Sequence, residues 1–149
     1  MDPLLEQTAR VIKDLHAEIV KQIQGLPDAA LDWKPGPDTS SIHILVTHIL
    51  GLERTGLYIA AGGIAARDRD AEFRVVGATA DGLIRLLNDA NAGVEVMLSR
   101  IDTSMLGETV DVRGTPIIRA YGLQHAVEHV GIHTGQIQLT RQLWEQSRD

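Results

Sequence analysis

The sequence predicts an all-α protein built as a four-helix bundle. Four segments of roughly 20 to 30 residues carry apolar side chains at the 3.6-residue period of an amphipathic helix. Each segment begins with a residue suited to capping a helix, and glycine or proline punctuates the connections. With 149 residues and 44% hydrophobic content, the chain is large enough for one domain, residues 1–149, with a packed core.

The first helix is predicted to begin where Asp2 caps a proline at the first helical position, Pro3. Its apolar period continues as far as Gly25, a residue typical of helix C-termini. The following stretch, residues 26–39, contains three prolines. Proline removes a backbone donor and interrupts helices, so this stretch is predicted to be a loop.

The second helix is predicted to start at a serine cap, either Ser40 or Ser41. Its apolar residues continue until the glycine pair at 62–63, which marks its end. The segment 67–77 is charged and has no clear period. It is therefore predicted to be irregular.

The third helix is predicted to open at Thr79 and to run to about Ile101. The segment 106–113 could hold a short extended piece. Thr115, followed by proline, repeats the cap-plus-proline signal of the first helix. The sequence therefore predicts that the fourth helix starts there and continues to about Trp144.

Charge and composition exclude several classes of protein. The formal net charge is -6, and the 14 lysines and arginines are scattered, which disfavours nucleic acid and anionic membrane surfaces as partners. There is no cysteine, so the chain has neither disulfides nor a thiol nucleophile of its own. No signal peptide and no membrane-spanning stretch is recognisable, so a cytoplasmic protein is expected.

Three histidines of the fourth helix form the most informative pattern. His125, His129 and His133 follow one another at intervals of four residues, so neighbours lie near one face, about 6 Å apart along the axis. The outer two are about 12 Å apart, too far to share one ion. An adjacent pair could bind a metal ion together with at least one ligand from another helix. A water-filled cavity is the other way to satisfy these polar groups near the inward face.

The second helix offers the best additional ligand. His48 lies among apolar residues, whereas His43 is five positions earlier and about 140° around the helix, so only one of the two can face the site. His16, in the first helix, is the weakest candidate and is predicted to be solvated or to contact a ligand indirectly.

At these residues the chain resembles the DinB-like family, which is related to bacillithiol transferases and mycothiol-dependent maleylpyruvate isomerases. The resemblance spans nearly the whole chain. It rests on LDWKP at 31–35, on the serine, aliphatic and histidine pattern of 41–49, on the EHxxxHxGQI motif of 128–137, and on Arg141. It implies an up-down-down-up bundle whose long crossing connection joins the second and third helices.

The resemblance implies metal ligands at His48, His129 and His133. Three neutral imidazoles suit zinc, nickel, cobalt or iron rather than calcium or magnesium, and zinc or nickel is the predicted cofactor. Three protein ligands leave one position for water or substrate, as in catalytic metal sites.

Other polar residues near this site have predicted roles of lesser weight. His125 is predicted to line the cavity or to contact a ligand, with direct ligation as the alternative. Gln136 and Tyr121 are expected to line the same cavity, although helix packing is the alternative for Gln136. Glu128 is predicted to be a surface residue or to orient an imidazole, and Glu53 is predicted to be solvated.

The function predicted from these features is a metal-dependent transferase that uses a low-molecular-weight thiol. An ion with an open position acidifies a thiol, and a chain without cysteine must take that thiol from solution, together with an electrophile. A related hydrolase or isomerase remains open. The alternative class is a non-catalytic metal-binding bundle acting in stress response or ligand binding, and an interaction module is a weaker third. A homodimer is expected, with Leu4 and Leu83 as candidate interface residues.

Overall fold

The computed structural model describes residues 2–148 and contains the four long helices that the sequence predicts. In chain order the helices are α1 (Pro3–Ile23), α2 (Asp28–Leu31), α3 (Ile42–Ala60), α4 (Arg69–Glu72), α5 (Ala80–Leu98) and α6 (Arg119–Gln146). The long helices α1, α3, α5 and α6 pack as one bundle, so the prediction of an all-α four-helix bundle is confirmed.

Side-chain caps begin three of the long helices. The side chains of Asp2, Ser41 and Thr79 each accept a hydrogen bond from a backbone N–H two or three residues later. These bonds satisfy donors that have no partner within the first turn. Of the two serines considered, Ser41 is the cap of α3.

The start predicted for the fourth helix is wrong, because α6 begins at Arg119. The residues Thr115–Ile118 form a strand, β2, that pairs antiparallel with β1 (Thr109–Val112). Arg113 and Gly114, both at positive φ (56° and 85°), form the tight turn between the strands. The turn sends the chain back along β1, so the residues after it pair as a strand instead of capping a helix. The extended piece expected within 106–113 is present as β1.

Two connections contain short helices that the sequence analysis missed. The predicted loop 26–39 includes α2, and the predicted irregular segment 67–77 includes α4. Each is a single turn, too short to produce a recognisable apolar period. In α4 the Asp68 side chain caps the turn by accepting from the Ala71 N–H at 3.0 Å.

Contacts between the helices establish an up-down-down-up arrangement. α1 and α6 run parallel, because Gln138 donates to Glu18 while Arg141, one turn later, donates to the carbonyl of Gln24. α3 and α5 run in the opposite direction to both. The long connection between α3 and α5, which carries α4, is therefore the crossing connection that the resemblance implied.

The core consists of two apolar clusters with a buried polar layer at the level between them. In that layer His16 is fully buried, and its Nε2 lies 2.7 Å from Glu53 Oε2 while its Nδ1 lies 2.8 Å from Asn91 Oδ1. The predictions that His16 and Glu53 are solvated are therefore wrong. His16 continues the buried series of α1, four residues after Ile12 and three before Ile19, so its position on the helix carries it inside.

The two leucines considered for a subunit interface differ in exposure. Leu83 is 2% exposed and packs in the core, whereas Leu4 is 53% exposed. Leu83 is thus a core residue and not part of an interface. Within residues 2–148, no helix combines the length and the apolar content required to cross a bilayer.

Gly56 and Gly122 allow α3 and α6 to approach closely. A Cβ at Gly56 would stand 2.5 Å from the Gly122 carbonyl oxygen, and one at Gly122 would stand 2.8 Å from Ile59 Cβ. We expect Gly56→Ala to lower the free energy of unfolding by about 1–3 kcal/mol, although alanine is the better helix former. Urea denaturation measures this. Gly93→Ala is the control, because its Cβ meets nothing within 4 Å, and equal stability of both variants would contradict the expectation.

Candidate metal centre

Three histidines from α3 and α6 meet near the middle of the bundle. His48 lies in the buried series of α3, and His129 and His133 lie one turn apart on α6. Because the close glycine contact holds these two antiparallel helices together, the three imidazoles face one another. The structure therefore brings together the three residues that the family resemblance implied as ligands.

The Nε2 atoms of these imidazoles converge. His129 Nε2 lies 3.0 Å from His48 Nε2 and 3.0 Å from His133 Nε2, and the ligand atoms of all three lie within 4.8 Å of one another. Nitrogen ligands at about 2.0–2.1 Å from a tetrahedral zinc ion are about 3.3 Å apart. The spacing thus fits a single transition-metal ion.

The protonation pattern of the imidazoles supports the same conclusion. The Nδ1 of His48 lies 2.9 Å from Glu72 Oε2, and that of His133 lies 2.5 Å from Gln136 Oε1. A carboxylate or amide oxygen only accepts, so each of these bonds requires the proton on Nδ1 and leaves a lone pair on Nε2, and His129 can supply at most one proton between the two. His129 Nδ1 is buried and has no hydrogen-bond partner among residues 2–148. With the His129 proton on that Nδ1, a metal ion would accept the lone pairs of all three Nε2 atoms, so this donor set fits one.

Burial keeps the central imidazoles neutral. Burial, together with the neighbouring His133 and His48, lowers the pKa of His129 from 6.5 to about 3. Burial also lowers the pKa of His48, although its hydrogen bond to Glu72 opposes the shift. Neutral imidazoles coordinate metal ions, so at neutral pH these two do not have to lose a proton first.

The depressed pKa of His129 predicts acid sensitivity of the metal-free protein. Its folded value of about 3 lies below the unfolded value of 6.5, so between these pH values the unfolded chain binds a proton that the folded chain does not. We expect the stability to fall as the pH drops from 6.5 towards 3, by at most about 1.4 kcal/mol per pH unit from this residue. Urea denaturation in a chelator at pH 7, 6 and 5 measures the slope, and His129→Gln should reduce it. An unchanged slope in that variant would contradict the assignment.

A carboxylate and a guanidinium surround the outer edge of His48. Arg67 holds Glu72 by two hydrogen bonds, Nε to Oε1 at 2.6 Å and Nη2 to Oε2 at 2.8 Å, and its Nη2 also lies 3.1 Å from His48 Nδ1. Burial alone would raise the pKa of Glu72, but the bonds from Arg67 and His48 hold it below its usual value. No sequence pattern identifies either residue, because both lie in the segment predicted to be irregular and no spacing relates them to a histidine.

His125 does not join the converging group. Its ring stacks on Tyr121 at 5.1 Å between centroids, and its Nδ1 lies 3.1 Å from Glu128 Oε2. Its centroid is 5.7 Å from that of His129. His125 and Tyr121 therefore flank the site on the side that precedes His129, and Glu128 orients His125.

Gln136 lies on the opposite side, next to His133. Gln136 lines a groove of about 320 Å³ together with Pro35 and Leu139. Arg141 donates to the carbonyls of residues 21, 22 and 24 at the end of α1 and to Glu145, so it joins α6 to α1 and forms a salt bridge within α6. His43 bonds Asp32 at 2.9 Å and does not join the converging group.

Comparison of the sequence with known families identifies the family of this chain. The family described as "Protein of unknown function (DUF1572)" matches residues 2–148. No curated protein matches the chain.

Solved structures share the fold at low sequence identity. YfiT from Bacillus subtilis, described as "a probable metal-dependent hydrolase with an unusual four-helix bundle topology", has a TM-score of 0.70 at 16% identity over 94% of this chain and 87% of its own. A DinB-like protein from Bacillus cereus ATCC 10987 has a TM-score of 0.64 at 18% identity, over 85% of this chain and 83% of its own. A mycothiol-dependent maleylpyruvate isomerase has a TM-score of 0.62 at 14% identity, over 87% of this chain and 59% of its own.

Proposed function

The chain belongs to the DUF1572 family and has the DinB-like fold, and on that premise we propose that it is a metal-dependent transferase using a low-molecular-weight thiol. The observation that carries the proposal is the convergence of three imidazole Nε2 atoms from two helices. His48 is 6% exposed and His129 9% exposed, while His133 is only half-buried and its partner Gln136 is exposed. The site is thus closed on the side of the bundle and open on the side of Gln136.

In this proposal His48, His129 and His133 bind one divalent transition ion, zinc or nickel. With three protein ligands, one position is left for an exchangeable group. When bound, such an ion supplies a Lewis acid that lowers the pKa of a thiol or a water.

The remaining residues position the reactants. Glu72 and Gln136 hold the Nδ1 protons of His48 and His133, so that both Nε2 lone pairs are directed inward. The groove beside Gln136, with Pro35 and Leu139 in its wall, is lined by none of the three histidines, and in this proposal it takes the electrophile at its Gln136 end. The thiol loses its proton to solvent, and its sulfur forms a bond to the electrophilic carbon as that carbon releases its leaving group.

One comparison favours a thiol over water as the nucleophile. Because the chain contains no cysteine, that thiol has to be a cosubstrate. Among the structures that share the fold, one is a mycothiol-dependent isomerase, whereas the description of YfiT as a probable hydrolase supports water as the alternative. A non-catalytic metal-binding bundle is the third outcome of the test.

Cobalt-substituted protein tests the proposal. Cysteine, glutathione, bacillithiol and mycothiol are added in turn, and the visible absorption of cobalt is followed, together with transfer to 1-chloro-2,4-dinitrobenzene. We expect at least one thiol to shift the absorption and to be transferred, and His133→Ala to abolish both effects while His125→Ala retains the spectral shift. If no thiol changes the spectrum and none is transferred, the transferase is refuted. Hydrolysis of an activated ester without thiol would favour the hydrolase.

We also propose that the protein is a cytoplasmic homodimer, with the exposed face of α1 in the interface. Leu4 is 53% exposed and Val11 42% exposed on this helix. Light scattering over a range of concentrations tests the assembly. A concentration-independent monomer would refute the dimer without affecting the metal site.

A further inference from the structure

We infer that Glu72 is a positioning residue that selects the tautomer and the orientation of His48 for metal binding. Glu72 reaches the site from α4, in the crossing connection, and not from either helix that carries the histidines. The inference deepens the proposed function and rests on its metal site. It adds that the crossing connection controls the affinity of that site.

The position of the proton on the His48 imidazole decides whether its Nε2 can bind an ion. Two groups lie within hydrogen-bond distance of its Nδ1, Glu72 Oε2 at 2.9 Å and Arg67 Nη2 at 3.1 Å. A carboxylate only accepts and a guanidinium only donates, so these two groups favour opposite tautomers. A proton on Nδ1 leaves the Nε2 lone pair free for an ion, whereas a bare Nδ1 that accepts from Arg67 places the proton on Nε2 and blocks coordination.

Arg67 is oriented by its pairing with Glu72. Its Nε and Nη2 already donate to both oxygens of Glu72, at 2.6 and 2.8 Å. This two-point pairing of planar groups fixes the carboxylate next to His48, although Nη2 keeps a second hydrogen that lies near Nδ1. The charged carboxylate is the stronger partner for Nδ1, because a hydrogen bond to an ionised acceptor is stronger than one to a neutral imidazole nitrogen. The Glu72 side chain is 9% exposed, so water does not replace it easily.

Helix α3 leaves space for the Glu72 carboxylate at Gly51. Gly51 lies one turn after His48, and a Cβ there would overlap Glu72 Oε1 and stand 2.9 Å from its Cδ. The absence of a side chain at Gly51 is thus what lets Glu72 lie flat against α3 and reach His48. A glycine in mid-helix is less favourable than alanine, and the accommodation of Glu72 accounts for its presence at this position.

Zinc affinity, measured by competition with a chromophoric chelator, tests the inference. We expect Glu72→Gln to weaken zinc binding about 10- to 100-fold, the usual effect of removing a partner of a ligand histidine. The amide has no charge to hold Arg67 and can itself donate, so the selection of the tautomer is lost. Glu128→Gln is the matched control, because Glu128 bonds Nδ1 of His125 in the same way at 3.1 Å. We expect no change in that variant.

Gly51→Ala provides a second variant that leaves every hydrogen-bonding group in place. Its added methyl displaces the Glu72 carboxylate, so zinc affinity should fall in the wild-type background. In a Glu72→Ala background the methyl no longer meets a carboxylate and only Arg67 Nε, at 3.2 Å, remains beside it, so Gly51→Ala should then have a much smaller effect. If Gly51→Ala reduces zinc affinity equally in both backgrounds, Gly51 acts independently of Glu72, and the claim that Gly51 makes room for the Glu72 carboxylate is wrong.

Nitrogen-15 NMR of the imidazoles in the metal-free protein provides a readout that does not depend on metal binding. We expect His48 to carry its proton on Nδ1 in the wild type and to shift towards the Nε2–H form in Glu72→Gln. If the wild type binds no zinc, the proposed function fails, and the NMR result still decides the role of Glu72. A wild-type His48 protonated on Nε2, or a Glu72→Gln variant with unchanged tautomer and zinc affinity, overturns the inference.

Discussion

His129→Ala is expected to abolish stoichiometric metal binding. His129 contributes the central Nε2, 3.0 Å from those of both His48 and His133, so without it the remaining two cannot form the same site. Zinc binding at the structural sites of zinc fingers is worth about 10–16 kcal/mol. Loss of one ligand in three therefore costs on the order of 3–5 kcal/mol, or two to four orders of magnitude in Kd. Elemental analysis after gel filtration measures the loss.

Thermal denaturation distinguishes a loss of metal from a loss of fold. An ion that binds only the folded state at a thousand times its Kd stabilises that state by about 4.1 kcal/mol. We expect zinc to raise the Tm of the wild type but not that of His129→Ala or His133→Ala. His125→Ala is the control that should keep the response, because its ring stacks on Tyr121 outside the converging group. Unchanged metal content in both His129→Ala and His133→Ala would refute the site.

His16→Leu is expected to destabilise the bundle by about 3–5 kcal/mol. The change leaves the Glu53 carboxylate, 4% exposed, without its hydrogen-bond partner at 2.7 Å. Breaking a buried polar pair on one side is costly because the remaining group stays desolvated. Urea denaturation of the protein in a chelator measures the effect separately from metal binding.

The double variant His16→Leu, Glu53→Met separates the pair from the packing around it. Replacing both members of a buried pair by apolar side chains is often neutral or stabilising, so we expect most of the lost stability to return. Asp14→Ala is the control. It breaks an exposed ion pair between Asp14 and Arg10, both on α1, and should change the free energy of unfolding by no more than about 0.5 kcal/mol. A loss below about 1 kcal/mol in His16→Leu would show that the buried layer contributes little.

Local patterns in the sequence predicted the helices and two of the three histidines of the candidate metal centre. The spacing of His129 and His133 places both rings on one side of a helix whatever the rest of the chain does. The caps at Asp2 and Thr79 are equally local, because each bonds a backbone N–H within three residues. The family resemblance, confirmed by the match to residues 2–148, agreed with the choice of His48 and added the direction of the helices.

Local sequence patterns also gave wrong predictions where the same residues are compatible with two different structures. Thr115 followed by proline is compatible with a helix start and with a strand. The left-handed turn at Arg113 and Gly114, together with the pairing to β1, selects the strand. His16 was judged from its neighbours in sequence, although its spacing from Ile12 and Ile19 already places it on the buried face of α1.

By itself, the sequence determined the helical class, most helix boundaries and the pair of histidines on α6, because all of these depend on residues within about one turn of each other. Only the tertiary structure decided that Glu72 and Arg67 reach His48 and that His16 meets Glu53. Glu72 is 24 residues from His48, and Glu53 is 37 residues from His16. Contacts at such separations depend on how the helices and the crossing connection pack together, and no local spacing encodes that packing.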